Sequence, residues 1–219
     1  MPDLRKIMGK RIRADGWILG FGRLAHRVLQ KLRSRGWGLI LNAPGIDVGP
    51  GCRFLGARFI RFGRDISINC NLWLEAVTEF NGQAFSPEIR LGDRVRLSDA
   101  VHITAIRQIL IGNDVLFGSR VYVSDHNHGA YRGDSQTPPM EPPSTRRLHS
   151  EGSVVIEDNV WIGDGVNIVG PAKIGFGAVI AANSVVRGDV PAQTIVAGAP
   201  ARVIKTFNPG SGMWEKSGR

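Results

Sequence analysis

Residues 154–192 read VVIEDNVWIGDGVNIVGPAKIGFGAVIAANSVVRGDVPA, with a large aliphatic side chain at every sixth position and a valine, alanine or serine four residues after each. This period fits neither an amphipathic helix nor a single alternating strand. It favours a coil with three flat faces, in which three hexads complete one turn of about 18 residues and stacked turns pair their backbones. The large positions are Ile156, Ile162, Ile168, Ile174, Ile180 and Val186, and the smaller ones are Val160, Val166, Ala172, Ala178, Ser184 and Val190.

The same register continues upstream and extends the predicted prism to residues 46–192. It breaks at residues 78–88 and 129–153, with a two-residue slip between Ile103 and Ile111. We therefore predict a basic N-terminal helical segment at residues 1–45, a β-helix at 46–192 with an extruded loop at 129–153, and a C-terminal tail at 193–219.

The two cysteines provide a check on this register. Cys52 and Cys70 lie 18 residues apart at equivalent small positions of their hexads. The register predicts that they are small buried thiols stacked in successive turns; such stacking permits a disulfide in principle, but the expected cytosolic setting argues against one.

Positive charge is concentrated at the N-terminus. The 219-residue chain has a net charge of +9, and residues 1–41 contribute ten Lys or Arg against two acidic residues. There, Trp17, Phe21, Leu24, Val28 and Leu32 recur at helical spacing, whereas Arg23, Arg27 and Lys31 follow another face. This pattern favours a helix packed on the end of the prism with its charged face in solvent or, alternatively, peripheral contact of residues 1–41 with an anionic membrane or an anionic lipid-linked substrate. No nucleic-acid recognition motif accompanies the charge, so a nucleic-acid partner is not expected.

Sequence hydropathy argues against membrane insertion. No apolar run approaches the roughly 18 to 20 residues that a membrane-spanning helix needs, and the N-terminus lacks the apolar core of a secretory signal. We expect a cytoplasmic protein, with membrane contact, if any, at the inner face.

Candidate chemistry lies where the repeat fails most. Asp125, His126 and His128 immediately precede the extruded loop. A neutral imidazole can accept a proton near pH 7, and a neighbouring carboxylate can fix its tautomer. From the residues alone, a general base and a structural corner histidine both remain open.

A family resemblance refines these alternatives. The hexads, residues 159–163 (NVWIG) and residues 196–205 (VAGAPARVIK) resemble the hexapeptide-repeat acyltransferases. Residues 124–129 (SDHNHG), with a tail that contains Trp214, most resemble the O-acetyltransferases of lipopolysaccharide and capsule biosynthesis. The resemblance implies an all-β chain folded as a left-handed parallel β-helix, a homotrimer and acetyl-CoA as co-substrate, with a saccharide or sugar-nucleotide acceptor.

The same resemblance assigns roles by position. His126 matches the family's catalytic histidine, which would take a proton from a sugar hydroxyl as the oxygen attacks the thioester. Asp125 and His128 are candidates for orienting the imidazole or binding the acceptor. Residues matched to the acetyl-CoA channel are Trp161, Asp164, Ala182, Arg187, Arg202 and Lys205.

The resemblance has two departures, and other functions stay open. Residues 98–102 (SDAVH) lack the asparagine that soluble-sugar acetyltransferases place before the histidine, and the basic N-terminal segment differs from their helical cap. Both differences favour a larger glycan acceptor, such as a lipid-linked one, over galactoside or maltose. Alternatives are an amino-sugar nucleotide N-acetyltransferase and a non-enzymatic β-helix scaffold. A zinc enzyme of the γ-carbonic anhydrase type is not expected, because His126, His128 and His149 lack the required spacing, and no metal site is predicted.

Overall fold

A computed structural model describes residues 28–217, which form a parallel β-helix capped at its N-terminal end by helix α1, described for residues 28–40. Three sheets form the faces of the prism. The first contains β1 (Asp47–Val48), β4 (Ser67–Ile68), β9 (Arg96–Leu97), β12 (Leu116–Phe117), β17 (Trp161–Ile162), β20 (Val179–Ile180), β22 (Thr194–Gly198), β23 (Ala201–Asn208) and β24 (Met213–Lys216). The second contains β2 (Arg53–Leu55), β5 (Trp73–Ala76), β10 (His102–Ala105), β13 (Tyr122–Ser124), β18 (Asn167–Val169) and β21 (Val185–Arg187). The third contains β3 (Ile60–Phe62), β8 (Glu88–Leu91), β11 (Gln108–Ile111), β16 (Val154–Ile156) and β19 (Ala172–Ile174).

Two antiparallel hairpins and a short helix lie outside the three faces. The first hairpin joins β6 (Glu79–Phe80) to β7 (Gln83–Ala84), and the second joins β14 (Asn127–His128) to β15 (Leu148–His149). A 3-10 helix at Ala57–Phe59 connects β2 to β3.

The core is the column of inward side chains predicted from the hexads. All twelve large and smaller positions between residues 156 and 190 are buried, and β17 pairs with β20 in an 18-residue register. Phe117, the bulkiest fully buried side chain, continues the column upstream. Each fully buried aliphatic or aromatic side chain stabilises the stack by about 1.5–3 kcal/mol, which makes this column the main source of stability.

The upstream coils, each a full turn of the β-helix, are longer than the repeat predicts. Register partners are 20 residues apart at Phe54 and Leu74, and again at Ile103 and Val123. The predicted stacking of Cys52 on Cys70 is therefore wrong, because a 20-residue coil places Cys52 level with Leu72. Both thiols are free and only partly buried.

The extra residues all enter at one side of the prism. Left-handed residues mark the corner before the first sheet and the corner after it, and each pair is six residues apart: Gly45 and Gly51, Asp65 and Asn71, Arg94 and Ala100, Asp114 and Arg120, Asn159 and Gly165, Gly177 and Asn183. The first face thus has constant length in these six coils. Variation in coil length, including the slip between Ile103 and Ile111, falls in the second and third faces and at the second–third corner between them.

Both long breaks in the repeat leave from this second–third corner. The β6–β7 hairpin interrupts the passage from β5 to β8, and the extruded loop interrupts the passage from β13 to β16. Between them, β10 reaches β11 through a tight corner at Ile106 and Arg107. The two excursions therefore leave the same corner of the prism, one from the coil before the tight corner and the other from the coil after it.

The two ends of the prism are closed differently. At the C-terminal end the first sheet continues past residue 192, since β22 pairs in parallel with β20 and is followed by the antiparallel strands β23 and β24. At the N-terminal end α1 packs on β1, where Ser34 donates to Asp47 and accepts the Val48 N–H at 2.9 Å. No helix within residues 28–217 is long and apolar enough to cross a bilayer.

Candidate active site

Asp125 is the anchor of the second–third corner. Its side chain is fully buried, and its carboxylate oxygens accept the backbone N–H groups of Ile106, Arg107 and Gln108 at 3.0, 2.8 and 2.7 Å. These three donors form the tight corner of the preceding coil. The carboxylate therefore ties the start of the extruded loop to the most compact corner beside it.

The same carboxylate holds the imidazole of His126. His126 Nδ1 lies 2.9 Å from Asp125 Oδ1 and 3.4 Å from Ser124 Oγ. A carboxylate accepts hydrogen bonds, so Nδ1 carries the proton and Nε2 keeps its lone pair. Within residues 28–217 no hydrogen bond uses Nε2, and it is not among the buried unpartnered atoms. With its side chain 9% exposed, His126 presents Nε2 as an accessible base.

The β6–β7 hairpin and the extruded loop are clasped together beside this histidine. Gln83 makes a two-way amide contact with Leu148, accepting its N–H at 2.8 Å and donating to its carbonyl at 3.2 Å. Asn81 donates to the Ser144 carbonyl at 2.9 Å. The two excursions thus form one wall of the site. Sequence reasoning marked the break but not this contact; the Asn81-Gly82 pair, a type I′ hairpin signal, could have identified the hairpin.

His128 belongs to this wall. It lies on β14, is exposed, and its ring meets Phe80 of the hairpin edge-to-face with centroids 5.2 Å apart. Its backbone carbonyl accepts the Tyr131 hydroxyl. The side chain is available to a ligand but makes no hydrogen bond to Asp125 or His126.

His102 is a residue near the site that sequence reasoning missed. It stacks on Trp73 with ring centroids 4.3 Å apart, and Tyr122 lies on its other side at 5.2 Å. Its Nε2 is buried without a partner among the described residues. Burial, and secondly repulsion from the nearby His126, lowers the pKa of His102 below its ordinary value of 6.5, which favours the neutral imidazole.

Three residues matched to the acetyl-CoA channel lie on another part of the prism. Trp161 is on β17 in the first sheet and is 53% exposed. Asp164 and Ala182 are exposed at the first–second corner of successive coils. Asp164 accepts the Ser119 N–H at 2.6 Å, and Ala182 backs onto Gly163, where an added Cβ would lie 2.6 Å from the Ala182 nitrogen. Successive coils are therefore in close backbone contact along this corner.

The cationic candidates divide between two places. Arg202 and Lys205 lie on β23, which extends the first sheet beyond β22. Arg187 ends β21 in the second sheet, in register with Val169 and, one coil further, with Ser124. Arg187 is therefore on the side of His126, whereas Arg202 and Lys205 continue the side of Trp161.

One chain does not bring all the candidates together. Asp125, His126 and His128 gather at the second–third corner, whereas Trp161, Asp164 and Ala182 lie on the first sheet and at the first–second corner. The second sheet separates the two groups. Among residues 28–217, no group of three or more His, Cys, Asp and Glu side chains is arranged to hold a metal ion.

Comparison with known proteins identifies relatives of this chain. A family described as "Bacterial transferase hexapeptide (six repeats)" matches residues 153–188. WbbJ of Escherichia coli strain K12, whose name provisionally describes a lipopolysaccharide biosynthesis O-acetyl transferase, is 40% identical over 159 residues, which span 72% of this chain and 77% of WbbJ.

Solved structures agree on the fold. The hexapeptide-repeat acetyltransferase VCA0836 of Vibrio cholerae, crystallised with acetyl coenzyme A, is 25% identical and matches with a TM-score of 0.52 over 80% of this chain and 78% of its own. AntD, an N-acyltransferase from Bacillus cereus crystallised with dTDP and 3-hydroxybutyryl-CoA, is 16% identical and matches with a TM-score of 0.58 over 77% of this chain and 84% of its own. The second likeness bears on the fold alone. As predicted, the fold is a left-handed parallel β-helix.

Proposed function

The chain belongs to the hexapeptide-repeat acetyltransferases, and on this premise we propose that it transfers an acetyl group from acetyl-CoA to a sugar hydroxyl, with His126 as the general base. The observation that carries the proposal is the hydrogen bond of 2.9 Å between His126 Nδ1 and the buried Asp125, which leaves Nε2 as the accessible basic nitrogen. The kinship with WbbJ supports a hydroxyl of a surface polysaccharide, lipopolysaccharide O-antigen or capsule, as the acceptor.

The proposed reaction is direct transfer. His126 Nε2 removes the proton from the acceptor hydroxyl while its oxygen attacks the thioester carbonyl carbon. The carbon–sulfur bond then breaks, and the protonated imidazole returns its proton to the departing thiolate. Asp125 stabilises the imidazolium between these two steps and keeps the ring in one orientation.

The cysteines argue against an acyl-enzyme route. Cys52 and Cys70 lie in the first two coils, whereas His126 follows the end of β13. Burial raises the pKa of both thiols above the ordinary value of 9.0, helped at Cys70 by the nearby Asp99. A thiol with a raised pKa is a poor nucleophile near neutral pH, which disfavours an acyl-cysteine intermediate and supports direct transfer.

For acetyl-CoA we propose a track parallel to the prism axis. Asp164 and Ala182 occupy the same corner of adjacent coils, about 5 Å apart along the axis. Trp161 flanks them, and Arg202 and Lys205 lie on β23, two strands beyond β20 in the first sheet, where cations suit a phosphorylated nucleotide. Since Arg187 lies toward His126, we assign it to the acceptor side or the thioester end of this track.

The proposal requires two protomers at each site. Because the second sheet separates His126 from the acetyl-CoA track within one chain, the track has to come from a neighbouring chain. In a closed ring of three chains, each chain can supply its acetyl-CoA track to the His126 of its neighbour, which completes three sites. We therefore propose a homotrimer. The acceptor would then enter along the wall formed by the β6–β7 hairpin and the extruded loop.

Thiol release from acetyl-CoA tests the proposal. Purified wild type, His126→Ala and the control His149→Ala, which changes an exposed histidine on β15, would be assayed with nucleotide sugars, polyprenyl-linked oligosaccharides and free saccharides. We expect acceptor-dependent release that falls at least about a hundredfold in His126→Ala and little in His149→Ala. Unchanged turnover without His126 would contradict the mechanism.

Product chemistry separates the proposed O-transfer from its nearest alternative. An O-acetyl ester is cleaved by mild alkali, whereas the amide made by an amino-sugar nucleotide N-acetyltransferase survives. An alkali-stable product formed only with amino sugars would replace the O-acetyl proposal. Failure of every acceptor to release thiol, in a protein that still binds acetyl-CoA, would favour a β-helix binding module.

A further inference from the structure

Helix α1 has an inner face that packs on the prism and an outer face that is apolar and exposed. Its inner face packs on the first coil through Ser34, Arg33 and Trp37, whose ring lies 4.7 Å from that of Phe54. Gln30 donates to both carboxylate oxygens of Asp47 at 2.9 Å. The cap is therefore held mainly by polar contacts.

The outer face is unusually apolar for a solvated helix. At 100° per residue, Val28, Leu32 and Leu39 share one line along α1, and Leu29 and Ile40 lie beside it. Leu29 is 62% exposed, Leu32 57% and Leu39 86%. As one of the two alternatives expected, α1 packs on the end of the prism, but through its other face, because Val28 and Leu32 of the apolar stripe are exposed.

The surroundings of this stripe are positively charged. Lys31 and Arg35 are exposed on α1, and residues 28–41 contain no acidic residue. A cavity beside the end of the helix is lined by Ile40 and Phe62 together with Arg58 and Arg61. The stripe predicted from Trp17, Phe21 and Leu24 lies outside the described residues; by composition, residues 1–27 add seven basic residues against two acidic ones.

We propose that the outer face of α1 docks this protein on an anionic lipid surface. An amphipathic helix with leucines on one line and cations beside them inserts its apolar face at the headgroup boundary while the cations bind anionic lipid. A second copy of the chain fits less well, because a two-fold contact through this face would bring Lys31 and Arg35 against their own copies. This docking is independent of the proposed acetyl transfer.

Vesicle flotation of the full chain, without substrates, tests the docking. Vesicles of phosphatidylglycerol and phosphatidylcholine would be compared with phosphatidylcholine alone. We expect binding to the anionic vesicles that weakens as salt rises, and little binding to the neutral ones. The double variant K31Q/R35Q should lose about 30-fold in partition coefficient, which corresponds to two surface cations.

The apolar half of the surface needs its own variant and control. L29S/L32S/L39S should lower the partition coefficient at least about tenfold, whereas M140S/M213S, at two equally exposed apolar sites elsewhere, should leave it unchanged. Thermal melts of each variant verify folding. If L29S/L32S/L39S bound anionic vesicles as tightly as the wild type, the proposal would be overturned. It would also be overturned if the wild type bound no vesicles and light scattering showed that the variant had a different oligomeric state.

The outcome is separable from that of the acetyl-transfer proposal. Thiol release with a water-soluble acceptor depends on His126 and not on α1. A protein that floats with vesicles but transfers no acetyl group would support docking and contradict the proposed reaction. The reverse result would contradict docking alone.

Discussion

Asp125 links a structural corner to the proposed base, and its two tasks can be measured separately. Asp125→Asn keeps the size of the side chain but replaces one accepting oxygen with an amide that donates. We expect kcat to fall roughly 10²- to 10⁴-fold, because Nδ1 of His126 loses its acceptor. The free energy of unfolding should fall by about 1–3 kcal/mol, because a buried N–H loses its partner.

A matched control for this change exists one corner away. Asp99 is exposed and accepts the Cys70 N–H at 3.0 Å, which is the same type of coil-to-coil bond without a histidine. Asp99→Asn should leave kcat near wild type. If Asp125→Asn also kept its kcat, the carboxylate would have only the structural task.

His102 makes a prediction about pH and stability. Its pKa is lowered in the folded chain, so below about pH 6.5 the unfolded chain binds a proton that the folded chain does not. Stability is therefore lost as pH falls through the unfolded pKa. His102→Phe preserves the stacking on Trp73 and removes the titration. Urea unfolding at pH 8 and pH 5.5 should show a smaller loss for the variant, and parallel losses would contradict the assignment.

At the scale of residues, the sequence singled out the candidate side chains but not the groups that hold them in place. Asp125 and His126 could be singled out because they adjoin a visible break in the repeat. The donors at Ile106 and Arg107 contribute through backbone N–H groups, which carry no side-chain signal. His102 was missed because its importance comes from stacking on Trp73, a residue 29 positions away in the chain but adjacent in the sheet.

At the level of elements, the clasp between the β6–β7 hairpin and the extruded loop should control acceptor binding. Gln83→Ala removes both hydrogen bonds to Leu148. We expect the KM for the acceptor to rise about tenfold, with a smaller change in kcat, because the wall loosens while His126 stays tied to Asp125. Trypsin should also cut faster at Arg132 and Arg147.

Gln136→Ala is the control for the clasp. Gln136 lies in the extruded loop, but within residues 28–217 its amide donates only to the nearby Gly133 carbonyl. This variant should keep the wild-type KM and cleavage rate. Equal behaviour of the two glutamine variants would mean that the clasp does not order the loop.

The strands were predictable to the extent that they repeat. Hexads in residues 154–192 identified the inward column correctly, because register partners from β16 to β21 are 18 residues apart; only the last coil is two residues shorter, with Val179 paired to Ile195. The upstream coils carry two more residues in the second and third faces, and the error at Cys52 and Cys70 follows from that. Packing of the excursions on each other was invisible, since Gln83 and Leu148 are 65 residues apart.

At the scale of the whole molecule, the proposed trimer predicts that two defective chains can complement each other. His126→Ala lacks the base, and Ala182→Trp should block the acetyl-CoA track at an exposed position. If each site takes one group from each of two neighbours, trimers assembled from an equal mixture should regain about a quarter of wild-type activity. The measurement is thiol release after joint unfolding and refolding.

The control mixture combines two defects at the same corner. His126→Ala mixed with Asp125→Asn leaves no protomer with an intact corner, so its activity should stay near that of the better single variant. Failure of the first mixture, with trimers formed, would mean that the track and the base act within one chain.

The 45-residue coil that contains the extruded loop has a consequence for how the chain folds. A stack of coils grows by adding neighbours, much as a zipper closes. Closing this coil costs about 0.7 kcal/mol more free energy, through lost chain entropy, than closing a 20-residue coil. Growth of the stack from either end therefore slows at this coil. The step that completes the prism and the step that assembles the corner around His126 are then the same event, so an incompletely folded chain lacks the proposed site.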